Sequence, residues 1–138
     1  MKQGFQVIAL DGPAHGQSAR KQANPLMFAQ AVVQANSEIG PFETIIVHSM
    51  GGSVVAIALS EGVESKKVVL ISSPSSIESV LKRFAKFIGL PTKSTQRFLH
   101  LVEEVVGRSV EALNIAKLIQ SNSSKGLIIH DQDDIEIP

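Results

Sequence analysis

The sequence predicts an α/β domain: a parallel sheet of about four strands with flanking helices and an inserted helical layer. Three observations carry that prediction. Nearly continuous apolar runs recur at residues 5–10 (FQVIAL), 44–48 (TIIVH), 67–71 (KVVLI) and 126–130 (GLIIH), which is how strands buried on both faces read. The segments between the first three runs have helical period and short joints, as right-handed crossovers between parallel strands require. The last gap, residues 75–120, is too long for one crossover helix and holds no strand-like run, so it reads as an insertion.

Each element has a local cause. Asn24-Pro25 pairs a capping side chain with proline at the first helical position, and the helix that follows stops at Gly40-Pro41. Residues 51–61 place Val54, Val55, Ala58 and Leu59 at helical spacing and end at Gly62. Ser75 and Glu78 form a capping box ahead of an apolar stripe through Ile77, Val80, Leu81, Phe84, Phe87 and Ile88, closed by Gly89 and Pro91. A second stripe runs through Phe98, Leu101, Val102, Val105 and Val106, and Gly107 separates it from a third helical stretch over 109–120. Phe84, Phe87 and Phe98 are expected to form the insertion's own core. The organisation is thus one domain, with core strands and their serine turn over 1–74, the helical insertion over 75–121, and the last strand with an acidic loop over 122–138.

Composition narrows the function classes. The chain has 138 residues, 43% of them apolar, a length at which roughly 68–70% of the unfolded surface is hidden on folding. Its 13 basic and 13 acidic side chains cancel, removing the field that drives binding to nucleic acid, so neither nucleic acid nor membrane is expected as a partner. With no Cys, no membrane-spanning apolar run and no export signal, the expected protein is soluble and cytoplasmic. Residues 75–120 carry seven Lys or Arg against four Glu, a net of +3 that reads as a solvated helix face rather than a lipid- or phosphate-binding surface. Residues 126–138 carry four carboxylates and no Lys or Arg.

The most informative stretch is Val47-His48-Ser49-Met50-Gly51-Gly52, between a strand and a helix. A serine on so sharp a turn presents its hydroxyl at the carboxyl edge of the sheet, and the backbone N–H of Met50 faces any oxyanion developing there. A turn of small residues that merely starts a helix gives the same letters, so two further segments matter. Asp11-Gly12-Pro13-Ala14-His15-Gly16-Gln17-Ser18 follows the first apolar run, and His130-Asp131-Gln132-Asp133-Asp134-Ile135-Glu136-Ile137-Pro138 follows the last. In this order the three segments resemble the α/β-hydrolase superfamily, with its D-x-P-G-H-G-x-S, G-H-S-M-G-G and H-G-x-x-D-x-x-V-P motifs, and the insertion falls where that family carries a helical cap.

The resemblance implies a truncated α/β-hydrolase fold, here the central portion of a serine hydrolase acting on an ester or similar acyl bond. It assigns Ser49 as nucleophile, Met50 as an oxyanion N–H and Asp134 as the triad acid. Asp131 and Asp133 are then neighbours of the acid, and a solvated strand end explains this acidic cluster better than a metal site. No cofactor or metal is implied, and the partner is a small-molecule acyl substrate.

Departures from the motifs are as informative. Val47 stands where the elbow usually has glycine, Ala14 replaces a glycine, and Asp131 replaces another. The family's base histidine lies beyond the next strand and helix after the acid, whereas this sequence ends four residues after Asp134. The family's first strands and the loop supplying the second oxyanion N–H have no counterpart before Phe5. Of the four histidines, His48 should point away from Ser49 and His100 falls off its helix stripe, while the resemblance gives His15 and His130 turn-stabilising roles. The expectation is a poorly active hydrolase portion, with a catalytically silent binding or interaction module as the alternative. The family strand that would separate residues 5–10 from 44–48 is also absent, so these two runs should either pair directly or leave edges that another chain covers, as in a homo-oligomer.

Overall fold

The computed structural model describes residues 4–120 and 122–137. Strands β1 (Phe42–His48), β2 (Ser65–Ile71) and β3 (Lys125–Ile129) form a parallel sheet in the order β1-β2-β3. The helices are α1 (Pro25–Ile39), α2 (Gly51–Ser60), α3 (Ile77–Phe87), α4 (Thr92–Val106) and α5 (Ile115–Gln120). Helix α1 begins as the sequence predicts, with the Asn24 side chain accepting from the Met27 N–H at 3.0 Å and Pro25 in the first turn.

Alternation along the strands sends Ile45, Val47, Val68 and Leu70 to one face, where they join the core. Helix α2 is the centre of that core: every residue from Gly52 to Leu59 is buried, and α1 and α5 pack against it. The opposite face is open, with Ile46 66%, Leu127 54% and Ile129 50% exposed. The apolar runs therefore do not mark strands buried on both faces, because the described helices that join the core lie on one side of the sheet.

Residues 5–10 are the clearest difference from expectation. All six are exposed and pair with no strand, so among the described residues the sheet has three strands and not four. A strand is held by a neighbour's N–H and C=O groups, and the free edge of β1 does not reach this segment. Direct pairing of the first two apolar runs does not occur. Among the described residues, β1 and β3 are both left with an unpaired edge.

The insertion is a helical hairpin, α3 against α4, rooted in the core by Ile77, Leu81 and Val106. Its cap is Ser76 and not Ser75, with the Ser76 Oγ accepting from the Ser79 N–H at 3.3 Å. The Ser75 carbonyl is committed elsewhere, accepting from the Ile115 N–H at 3.1 Å, while Ser76 bridges to Asn114. Phe84 meets Phe98 with ring centroids 6.1 Å apart, but Phe87 is 87% exposed and belongs to no core. The third helical stretch is shorter than predicted: residues 110–113 form turns, and only α5 is helical, capped by the Asn114 side chain on the Lys117 N–H. Among the described residues no helix is long and apolar enough to cross a membrane.

Candidate active site

Strand register gathers the candidate residues at one edge. His48 lies opposite Ile71, and Ile71 opposite Ile129, so the three strands end together. The ladder continues one step further, with the Ser49 N–H donating to the Ile71 carbonyl and the Ser72 N–H to the Ile129 carbonyl, both at 2.9 Å. Ser49, Ser72 and His130 are therefore the residues that follow each strand at its carboxyl end.

Ser49 sits at φ +53, in the left-handed region that side chains other than glycine rarely occupy. Strain of this kind lets the chain leave β1 and enter α2 within two residues, and it turns the side chain out of the strand. Two close approaches make room for the turn. A Cβ at Gly51 would lie 3.1 Å from the Cβ of Val47, so the missing side chain at 51 accommodates the branched one at 47. A Cβ at Gly52 would lie 2.5 Å from both Cβ and Oγ of Ser73, so the start of α2 presses directly on the loop after β2.

Behind Ser49 the donors are available. Among the described residues the Met50 and Gly51 N–H groups donate to no carbonyl, and Met50 is 43% exposed. Free N–H groups at a helix amino end favour an anion, which is what an oxyanion site requires. The Ser49 hydroxyl makes no hydrogen bond among the described residues.

The acid loop after β3 is tightly closed. Asp134 Oδ1 accepts from the N–H groups of Glu136 at 2.9 Å and Ile137 at 2.8 Å, and Oδ2 lies 3.8 Å from His130 Nε2. The Ile137 N–H, more than any other partner, holds the Asp134 carboxyl below its ordinary pKa. The Glu136 N–H and the charges of His130 and Arg83 act in the same direction, against partial desolvation. Asp134 is therefore ionised at neutral pH. Asp131 and Asp133 serve the turn: Asp131 Oδ1 accepts from the Asp133 N–H, and both residues are exposed. Among the described residues no group of acidic and histidine side chains is arranged to hold a metal ion.

None of the four histidines reaches the serine hydroxyl among the described residues. His130 Nε2 bonds to the Ile137 carbonyl, and a carbonyl only accepts, so that nitrogen carries the hydrogen and cannot receive the serine proton. His15 Nδ1 bonds in the same way to the Pro13 carbonyl at 3.0 Å, and the ring packs edge-on against Phe28 of α1. His48 is exposed beside Ile46, on the face away from Val47. His100 lies on the surface of α4 between Glu103 and Glu104.

The loop over 11–18 is built around Asp11, whose Oδ2 accepts from the Gln17 N–H and whose carbonyl accepts from the Ser18 hydroxyl at 2.6 Å. Ala14 in this loop has φ +62, a conformation for which glycine is better suited. Gly12 packs against the Phe28 ring so closely that a Cβ there would lie 1.8 Å from it, which docks the loop on α1.

Three residues near the site escape sequence reasoning. Ser72, at φ +43, is a second strained serine one strand away from Ser49; Ser73 wedges against Gly52; and Arg83 Nη2 donates to the Ile135 carbonyl, joining α3 to the acid loop. The small residues of Ser72-Ser73-Pro74 are a turn signal that could have marked the first two. Arg83 is 52 positions from its partner, and no local pattern encodes that contact. A shallow hollow lies beside Ser109 and Lys117 and another between residues 10–20 and α1, and Ser49 and Asp134 line neither of them.

Comparison with protein-family models, with curated proteins and with solved structures finds no match to this chain. The functional reading therefore rests on the residues themselves.

Proposed function

We propose that this chain is the central portion of an α/β-type serine hydrolase acting on an ester or similar acyl bond, with Ser49 as nucleophile. The Met50 N–H supplies one oxyanion donor and Asp134 the triad acid, and α3 with α4 forms the cap over the site. The supporting observation is the backbone of Ser49, a non-glycine residue at φ +53 between a parallel strand and a helix, with free N–H groups directly after it.

The chemistry follows from those groups. A histidine base, which none of the four described histidines supplies, would take the proton from the Ser49 hydroxyl as its oxygen attacks the acyl carbon. The leaving alcohol receives that proton, and water then releases the acyl group by the same route. An ionised Asp134 suits the acid's role, which is to hold the imidazole in one tautomer and stabilise its charged form. The described histidines do not supply the base, and its removal in a well-studied protease costs about 10⁶-fold in turnover. Hydrolysis by this chain alone is accordingly expected to be slow.

A catalytically silent binding module is the second reading, favoured by one observation: the Ser49 hydroxyl has no hydrogen-bond partner among the described residues. A serine-reactive fluorophosphonate probe separates the two. With imidazole added as the base, labelling of the unmutated protein and not of Ser49→Ala is expected. Added imidazole should also raise nitrophenyl-ester turnover above the Ser49→Ala background. Equal labelling of both proteins favours the silent module.

A further inference from the structure

We propose that the tip of the α3–α4 hairpin docks on an anionic lipid bilayer surface. The hairpin is anchored at one end and bare at the other. Ile77, Leu81 and Val106 hold its root against the core, whereas Phe87 and Ile88 at the turn between the helices are 87% and 49% exposed. An aromatic ring so exposed gains nothing from the fold, and removing it from water requires an apolar phase outside the molecule.

Charge is segregated at the same place. Residues 82–97 hold five basic side chains, Lys82, Arg83, Lys86, Lys93 and Arg97, and no Asp or Glu, in a chain whose formal charge is zero. Lys82 is paired with Glu78 at 2.6 Å, and Arg83 donates to the Ile135 carbonyl. Lys86, Lys93 and Arg97 are exposed and enter no ion pair among the described residues.

A solvated helix face, the reading favoured by composition, explains these three cations but not Phe87 and Ile88. An apolar protein interface explains Phe87 and Ile88 but would bury three unpaired charges beside them. A bilayer with anionic headgroups satisfies both, since Phe87 and Ile88 enter the acyl boundary while the long Lys and Arg stems keep their charges at headgroup level. The charge complementarity commits the occupant to an anionic membrane. Attachment is peripheral, by the hairpin tip.

The test is co-sedimentation of the full chain with phosphatidylcholine vesicles, pure or carrying about one third phosphatidylserine. Binding at least about tenfold stronger to the anionic vesicles is expected, and raised salt should remove it. Phe87→Ser should weaken it on the order of tenfold. Lys86→Glu with Lys93→Glu should weaken it at least about 25-fold, at about fivefold for each basic residue. All three positions are exposed, so these variants should unfold at the same urea concentration as the parent. Ile46→Ser, a neutral change on the open face of the sheet, should leave vesicle binding unchanged.

The proposal is overturned by absence of binding, by equal binding to both vesicles, or by an unaffected Phe87→Ser. Loss of binding in Ile46→Ser would assign the interaction to the sheet and overturn it as well. So would tighter binding to single-stranded RNA than to the anionic vesicles, which would make the tip a nucleic-acid site.

Discussion

At Gly52 the cost of a single methyl group can be read directly. Alanine is the better helix former by up to about 1 kcal/mol, yet its Cβ would lie 2.5 Å from the Cβ of Ser73, which no rotation can move away. Gly52→Ala is expected to destabilise the protein by about 1–3 kcal/mol, measured by urea unfolding, and Ser73→Gly in the same chain should recover most of the loss. A Gly52→Ala protein as stable as its parent would mean that α2 does not press on the loop after β2.

Asp134 makes a prediction in pH. Its pKa is lowered in the folded state, chiefly by the Ile137 N–H, so folding favours the ionised carboxylate. The stabilisation is fully present above the unfolded value of about 3.9 and disappears as pH falls through the folded value below it. Asp134→Asn should therefore be less stable than the parent at pH 7, with the difference shrinking below about pH 4. A difference that stays constant down to the acid transition would show that the loop N–H groups do not distinguish the charged form.

Elements differ in how they are completed. Helix α2 is enclosed by α1, α5 and the sheet, whereas β3 is exposed along its whole length. An unpaired edge carrying Leu127 and Ile128, with Ile128 71% exposed, is a template for pairing with another chain. Increasing concentration should therefore drive self-association, and Leu127→Lys should shift the protein toward monomer in sedimentation equilibrium. A parent chain that remains monomeric at high concentration would count against this edge as a contact.

For the whole molecule, surface area points the same way. The chain exposes 9572 Å², where a monomeric domain of its 14.8 kDa mass would expose about 7,000 Å². The excess, about 2,600 Å² on one chain, is well above the roughly 800 Å² that each partner buries in a standard protein–protein interface. This also explains where sequence reasoning succeeds and fails. Asn24-Pro25 and Gly107 mark helix ends through interactions with their own neighbours in the chain, and those ends lie where the sequence places them. The serine turn is legible because Ser49, Gly51 and Gly52 are adjacent. Residues 5–10 have the composition of a strand, but a strand also needs a partner, and composition carries no information about whether one is present. The Arg83 contact with the acid loop and the wedge of Ser73 against Gly52 depend on distant segments meeting, so they appear only in the folded chain.

The amides at the carboxyl edge divide into two kinds with a dynamic consequence. Those of Ser49 and Ser72 are held by carbonyls of the neighbouring strand, so their exchange with solvent deuterium waits on opening of the sheet. Those of Met50 and Gly51 have no such partner and should exchange early. A tetrahedral phosphonyl group on Ser49 would supply the missing acceptor. Its formation should then slow two adjacent amides while leaving those on either side of them unchanged.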